Sequence, residues 1–257
     1  MSPYGRTTCA FSVLYVTLGG TIEPVDRLET TVDENIISAV PLFSALDEED
    51  QRQLAAMMTE VVFRRGEKLF NEGDPGDRLY LLVEGKVKLG HTSADGRENL
   101  LAVLGPGEMI GELTLFDPGP RSTTATAVAP TRMMQLDHEA MMAFIDSRPE
   151  LAKHMLKALS QRLRRTNTAL ADLVFSDVPG RVAKALLDLA DRFGTRADDG
   201  TVHVPHELTQ EELAQLVGAS RETVNKSLAE FVSRGWIRLE GRGVHLLDVD
   251  RLRRRAR

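Results

Sequence analysis

Between Gly111 and Thr123 the chain reads Gly-Glu-Leu-Thr-Leu-Phe-Asp-Pro-Gly-Pro-Arg-Ser-Thr. Glycine lets main-chain N–H groups come close to an anion, and an arginine presents a fork matched to phosphate oxygens. Gly111 and Arg121 are those two parts, and Ser122 adds a hydroxyl donor. Glu112 cannot serve a phosphate. It can accept hydrogen bonds from a sugar hydroxyl and steady the arginine. The set Gly111, Glu112, Leu113, Arg121 and Ser122 suits a sugar phosphate with one negative charge. The same residue types also make a surface turn with a salt bridge, and composition alone leaves both readings open.

A second group lies near the C-terminus. Thr209-Gln210-Glu211-Glu212 is a capping box, with Thr209 capping a helix over 210–216 whose third residue is an acid. Val217-Gly218-Ala219 ends that helix, and Ser220 caps a second over 221–233. Helix, glycine turn, helix is the arrangement that places a reading helix in a DNA major groove, although ordinary helical corners share it. The second helix opens Arg221-Glu222-Thr223-Val224-Asn225-Lys226. Arg221 can pair bidentately with guanine, Glu222 can accept from cytosine, and Lys226 can reach a base or a phosphate. Residues 235–240 and 243–247 read as a hairpin with Arg242 at its tip, a candidate phosphate contact, and Trp236 in the core.

Two further elements must position these groups. From Pro41 to Asp137 short β-type runs alternate with glycine: Val61-Val62-Phe63, Lys68-Leu69-Phe70, Leu79 to Val83, Lys86 to Leu89, and Asn99 to Leu104, with a tight-turn signal at Asp95-Gly96. Strands at such close spacing predict an antiparallel jelly-roll rather than βαβ units. Pro149 then opens a stretch with no glycine or proline until Pro179. Along it Ala152, Leu156, Leu159, Leu163, Thr166, Leu170 and Leu173 keep alternating spacings of four and three, a heptad seam that predicts a parallel partner helix and a homodimer. Thr166 interrupts the leucines and Asn167 comes directly after it. A polar residue at a seam position costs stability unless it finds a partner, and by itself it specifies the register of the helices. The run from Asp177 to Arg181 is read as a break and hinge, with an amphipathic helix over 182–193 beyond it.

Composition narrows the function classes. The 257 residues hold 32 Lys+Arg against 38 Asp+Glu, a net charge of −6, and hydrophobic residues make up 42%. Residues 177–257 hold 14 basic and 13 acidic side chains, so the C-terminal third is slightly positive and the rest strongly negative. The single cysteine, Cys9, excludes an intrachain disulfide framework, a four-cysteine zinc site and a cysteine-held iron–sulfur cluster. No stretch is long and apolar enough for a bilayer span. There is no HExxH, GxSxG or P-loop, so an enzyme is not expected. His203, His206 and His245 could be grouped as metal ligands but read as loop or strand-surface residues, so no metal and no cofactor are expected. Residues 1–31 fit poorly with the remainder of the chain. They read as a disordered tail or as a mis-assigned start, with Val32 as the alternative initiator.

Gly111-Glu112-Leu113 followed by Arg121-Ser122 resembles the phosphate-binding cassette of cyclic-nucleotide-binding domains, and Arg221 to Lys226 resembles a recognition helix. Together, from about residue 36 onward, the chain is similar to the cyclic-AMP receptor protein/fumarate–nitrate regulator family of transcription factors, especially its actinobacterial branch. The resemblance implies an α+β chain: a cyclic-nucleotide-binding β-roll over 32–148, a coiled-coil dimerisation helix over 149–176, and a winged helix-turn-helix over 177–257. It implies cyclic AMP as an allosteric ligand, with Glu112 on the ribose 2′-hydroxyl, Arg121 and Ser122 on the cyclic phosphate, and Thr166 and Asn167 on the adenine, one from each subunit. It implies double-stranded DNA contacts through Thr209, Ser220, Arg221, Glu222, Thr223, Asn225, Lys226 and Arg242, half-sites like TGTGA and its inverse, and a hinge at Asp177. RNA polymerase as a partner and a cytoplasmic, nucleoid-associated location are implied by the same resemblance. Thr123 and Lys226 depart mildly from the family pattern, a smaller residue and an arginine being frequent there. Two other functions stay open at this point: a regulator of the same family that senses cyclic GMP or cyclic di-GMP or binds DNA constitutively, and a cyclic-nucleotide-binding regulatory subunit.

Overall fold

The computed structural model describes residue 43, residues 46–93 and residues 98–256; the N-terminal extension and the Asp95-Gly96 turn lie outside them. A helix, α1 (Glu48–Met57), leads into eight strands: β1 (Thr59–Phe63), β2 (Lys68–Phe70), β3 (Arg78–Glu84), β4 (Val87–Thr92), β5 (Glu98–Leu104), β6 (Met109–Ile110), β7 (Thr124–Ala127) and β8 (Thr131–Asp137). They form two antiparallel four-stranded sheets, ordered β1-β8-β3-β6 and β2-β7-β4-β5. This is the β-roll.

Alternation along β3 explains its continuous apolar run. Tyr80 and Leu82 point between the sheets, where they meet Val87, Leu89, Leu104, Ile110, Ala125 and Met133. Leu79 and Leu81 point the other way and pack with Met134 and Leu136 under helices. Those helices are α1, α3 (His138–Asp146) and the start of α4 (Pro149–Phe175), which contribute Leu54, Met141, Phe144, Leu151 and Met155. A short helix, α2 (Leu113–Phe116), sits between β6 and β7.

At 27 residues, α4 runs about 40 Å at 1.5 Å per residue. Only its first turns are buried. Beyond them Leu156, Leu163 and Leu170 are 60%, 61% and 62% exposed, one heptad apart, and Leu173 is half exposed. The leucine stripe faces outward from the chain.

The rest is a winged helix-turn-helix: α5 (Val178–Phe193), β9 (Thr195–Arg196), β10 (Val202–Val204), α6 (Gln210–Val217), α7 (Arg221–Ser233), β11 (Ile237–Glu240), β12 (Gly243–Leu246) and α8 (Val249–Arg255). The small sheet has the order β11-β12-β10-β9. The break after α4 is shorter than the sequence predicts. Pro179 and Gly180 lie inside the first turn of α5, where a missing N–H costs nothing, and Asp177 caps that turn by accepting from the Gly180 N–H at 2.9 Å. Val182, Leu186 and Leu189 of α5 bury against Val217, Val224, Leu228, Phe231, Val244 and Leu246. Leu100, Val103 and Val128 of the roll join the same core, so the two domains pack together within one chain. Among the described residues no helix is long and apolar enough to cross a membrane.

Candidate functional site

The candidate nucleotide site begins with a local folding necessity. Gly111 has φ +91°, and a Cβ there would overlap the Arg121 guanidinium and the Arg78 carbonyl. Only glycine brings β6 into α2 at this closeness. The Arg121 segment is tied to the β2–β3 loop: the Arg121 N–H donates to the Asp74 carbonyl and the Gly73 N–H to the Arg121 carbonyl, both at 2.8 Å. Pro75 and Pro120 form a bridge between the same two segments.

Arg121 is therefore turned inward. It is 4% exposed, stacks over the Phe70 ring at 4.3 Å, and donates from Nη2 to the Arg78 carbonyl at 2.5 Å and from Nη1 to the Gly111 carbonyl at 3.5 Å. Its Nε is buried without a partner. Burial pulls its pKa below the usual arginine value, and Tyr80, Asp77, Glu112 and Asp74 push it back up. An arginine this deep, bonded to carbonyls and with one donor unused, is a buried cation that an anion could pair with. Glu112 is buried beside it, and Thr114 donates its hydroxyl to the Gly76 and Gly111 carbonyls at 3.0 Å, fixing the cradle. Ser122 is exposed at the rim. The structure thus places Gly111, Glu112, Leu113, Arg121 and Ser122 on the connection from β6 through α2 to β7, with Arg121 folded back against Gly111. Thr166 and Asn167 are on a different element, exposed on α4 between Leu163 and Leu170.

The candidate DNA interface follows its capping signals closely. Thr209 and Glu212 cap each other reciprocally, Gly218 takes the left-handed conformation (φ 67°, ψ 46°) that turns α6 into α7, and Ser220 accepts from the Thr223 N–H at 3.2 Å. Thr209 and Ser220 thus spend their hydroxyls on caps. Arg221, Glu222, Thr223 and Lys226 are exposed at the N-terminal end of α7, while Val224 is buried and Asn225 half-buried. Arg242 is exposed in the turn between β11 and β12.

Sequence reasoning missed the groups that connect these sites. Arg181 of α5 donates from Nη1 to the Ser176 carbonyl at 2.7 Å, from Nε to the Val217 carbonyl at 3.0 Å and from Nη2 to the Gly218 carbonyl at 3.2 Å. It staples the end of α4 to the turn of the helix-turn-helix. Asp177, the predicted hinge, also takes Arg255 at 2.6 Å from α8, and Lys184 pairs with Asp172 at 2.5 Å across the same junction. Between roll and DNA-reading domain, Lys88 pairs with Glu212 at 2.5 Å, Arg65 with Glu207 at 2.9 Å, and Arg192 with Glu108. Partners separated by 124 and 142 positions leave no local signal.

His206 does not sit with His203 and His245. It is buried, and its Nδ1 accepts from the Leu208 N–H at 3.0 Å.

Comparison with known proteins is consistent with this layout. Residues 60–148 match the cyclic nucleotide-binding domain and residues 180–255 the Crp-like helix-turn-helix domain. The CRP-like cAMP-activated global transcriptional regulator of Mycobacterium tuberculosis is 53% identical over 224 residues, covering 87% of this chain and 100% of the relative. The cyclic AMP receptor protein of Thermus thermophilus is 37% identical over 199 residues, 77% of this chain and 88% of the relative. Among solved structures, a CRP-family transcriptional regulator of Thermus thermophilus superposes with a TM-score of 0.65 at 30% identity, covering 76% of this chain and 96% of that one.

Proposed function

The chain belongs to the cyclic-AMP receptor protein/fumarate–nitrate regulator family of transcription factors, and we propose that it is a cyclic-AMP-responsive member that binds palindromic operators as a homodimer. The functional units are then the nucleotide-binding roll over 32–148, the dimerisation helix over 149–176 and the DNA-reading domain over 177–257. Arg121 and Ser122 take the cyclic phosphate, Glu112 takes the ribose 2′-hydroxyl, and Thr166 of one subunit with Asn167 of the other takes the adenine. The observation that carries this reading is the buried Arg121, with its unused Nε donor beside Glu112. Its placement in a roll joined to a helix-turn-helix favours a regulator over an isolated regulatory subunit.

Two recognition helices related by a dimer axis lie about one DNA turn apart, roughly 34 Å, which calls for two inverted half-sites of the TGTGA type. Arg221 and Glu222 read base edges, Lys226 and Arg242 hold phosphates, and the ligand acts from the cytoplasmic pool on a complex that meets RNA polymerase. The test is binding to a palindromic duplex with and without cyclic AMP, for the wild type and Arg121→Ala. The wild type should tighten with nucleotide, and the variant should fold normally, bind no cyclic AMP by calorimetry and show no response. A folded variant with near-normal nucleotide affinity overturns the assignment. A wild type whose DNA affinity ignores cyclic AMP, while responding to cyclic GMP or cyclic di-GMP, moves the reading to another ligand.

A further inference from the structure

The small sheet of the DNA-reading domain buries Val202, Val204, Ile237, Val244 and Leu246 on one face. The alternate residues form its outer face. There His203 of β10 and His245 of β12 are direct cross-strand partners, and their rings stack with centroids 4.5 Å apart at 24°. Glu240, the last residue of β11, brings Oε2 to Nε2 of His245. One ligating atom from each of the three lies within 4.8 Å of the others.

We propose that His203, Glu240 and His245 form a divalent-metal site of zinc type on the outer face of the wing. Two imidazole nitrogens and one carboxylate oxygen are a donor set suited to Zn²⁺, and three protein ligands leave the fourth position of a tetrahedral site to water. Bonds of about 2.0–2.2 Å put tetrahedral donors roughly 3.3–3.5 Å apart. Glu240 and His245, already in hydrogen-bond contact, must part to admit the ion, and His203 must close on them by about an ångström. Glu240, 62% exposed, has the freedom to do so. The histidines are held on neighbouring strands and arrive already stacked. Arg238, the cross-strand partner of His245 on β11, brings positive charge to the same face, which lowers the affinity of the site for a cation.

The placement gives the ion a consequence. Glu240 pairs with Gly243 at the base of the turn that carries Arg242. A bound cation cross-links β10, β11 and β12 and replaces a carboxylate charge beside the wing tip with a net positive one. Approach of that tip to a phosphate backbone then becomes more favourable for any DNA sequence. Metal binding itself does not depend on the nucleotide reading; only this last step depends on the protein binding DNA.

The experiment uses the untagged full-length protein after chelation. Co²⁺ titration is followed by its visible d–d absorption and Zn²⁺ binding by competition calorimetry, for the wild type, the double variant His203→Gln/His245→Gln and Glu240→Gln. The substituted side chains lie on the outer sheet face, and circular dichroism checks their folding. One ion per chain is expected, with binding lost in the double variant and weakened at least tenfold in Glu240→Gln. No ion bound, or affinity unchanged in the folded double variant, overturns the site and assigns any binding to the other four histidines. Saturating Zn²⁺ should tighten wild-type binding to specific and random duplexes alike by a few fold and leave the double variant unaffected. Ion-independent DNA binding overturns the link to the wing.

Discussion

His206 shows how one buried side chain makes a domain sensitive to acid. It sits two residues beyond β10, 6% exposed, with its Nδ1 occupied by the Leu208 N–H. Burial lowers its pKa from the ordinary 6.5 to about 4, opposed by Glu207 and Glu212 and aided by Lys86. The folded protein therefore keeps the ring neutral, whereas the unfolded chain protonates it below about pH 6.5. Between pH 6.5 and 4 the unfolded state binds the extra proton, so stability falls as pH falls, by up to about 3 kcal/mol. His206→Asn keeps a short acceptor for Leu208 and removes the titration. Urea midpoints at pH 7 and pH 5 should differ clearly for the wild type and much less for the variant. Equal pH dependence in both would assign the acid sensitivity to another group. Arg121 obeys the same rule with the same sign of charge: burial lowers its pKa as well, because a buried cation is costly unless a partner arrives, and for Arg121 that partner is the proposed phosphate.

At the scale of elements, the junction of α4 and α5 offers the proposed nucleotide signal a route to the recognition helix, beside the direct contacts of the roll with the DNA-reading domain. Arg181 bonds the last carbonyl after α4 and two carbonyls of the turn before α7, so movement of the long helix and of the recognition helix share one guanidinium. Arg181→Ala leaves those carbonyls without a charged donor, a loss of about 2 kcal/mol. It should also reduce the ratio of DNA affinities with and without cyclic AMP at least threefold. Linkage requires the effect of DNA on nucleotide affinity to shrink by the same factor, so a second titration checks the first. An unchanged ratio in a merely less stable protein would leave Arg181 as a structural staple. The same junction marks where the sequence stops being legible. Caps and turns are local, which is why α7 and its Ser220 cap can be read directly from Thr209 to Ser233, and why alternation reveals the roll strands. Pro179-Gly180 misleads, because proline breaks a helix interior but fits a first turn once Asp177 caps it. The contacts of Lys88 with Glu212 and Arg65 with Glu207, and the meeting of His203 with Glu240 and His245 of the hairpin, depend on chain segments distant in sequence. The half of the proposed nucleotide site in residues 111–122 is readable because a single connection between β6 and β7 carries it; the proposed α4 half depends on a second chain.

At the scale of the whole molecule, the outward face of α4 is the surface on which the proposed homodimer would form. A helix about 40 Å long leaves Leu156, Leu163 and Leu170 each about 60% exposed, with Leu173, Val174 and Phe175 continuing the apolar surface toward its end. A strict seven-residue repeat drifts only about 20° per heptad on a straight helix, so in the proposed dimer a modest left-handed supercoil would keep the leucines facing an identical helix. Thr166 and Asn167 lie within that stripe, so pairing the helices also puts them at the interface that the proposed adenine contact requires. Leu163→Glu/Leu170→Glu changes neither the roll core nor any residue assigned to the phosphate. It places four carboxylates in the seam of a dimer, where like charges repel and burial is costly. Sedimentation equilibrium should show the variant monomeric at concentrations where the wild type is dimeric. Its affinity for a palindromic duplex should drop toward that of a single half-site. Cyclic-AMP affinity should fall as well, although neither substituted residue touches the nucleotide, because each pocket loses the partner's adenine contact. A dimeric variant would place the interface elsewhere. A monomer with undiminished nucleotide affinity would confine the pocket to the roll, with Thr166 and Asn167 serving only the register of the helices.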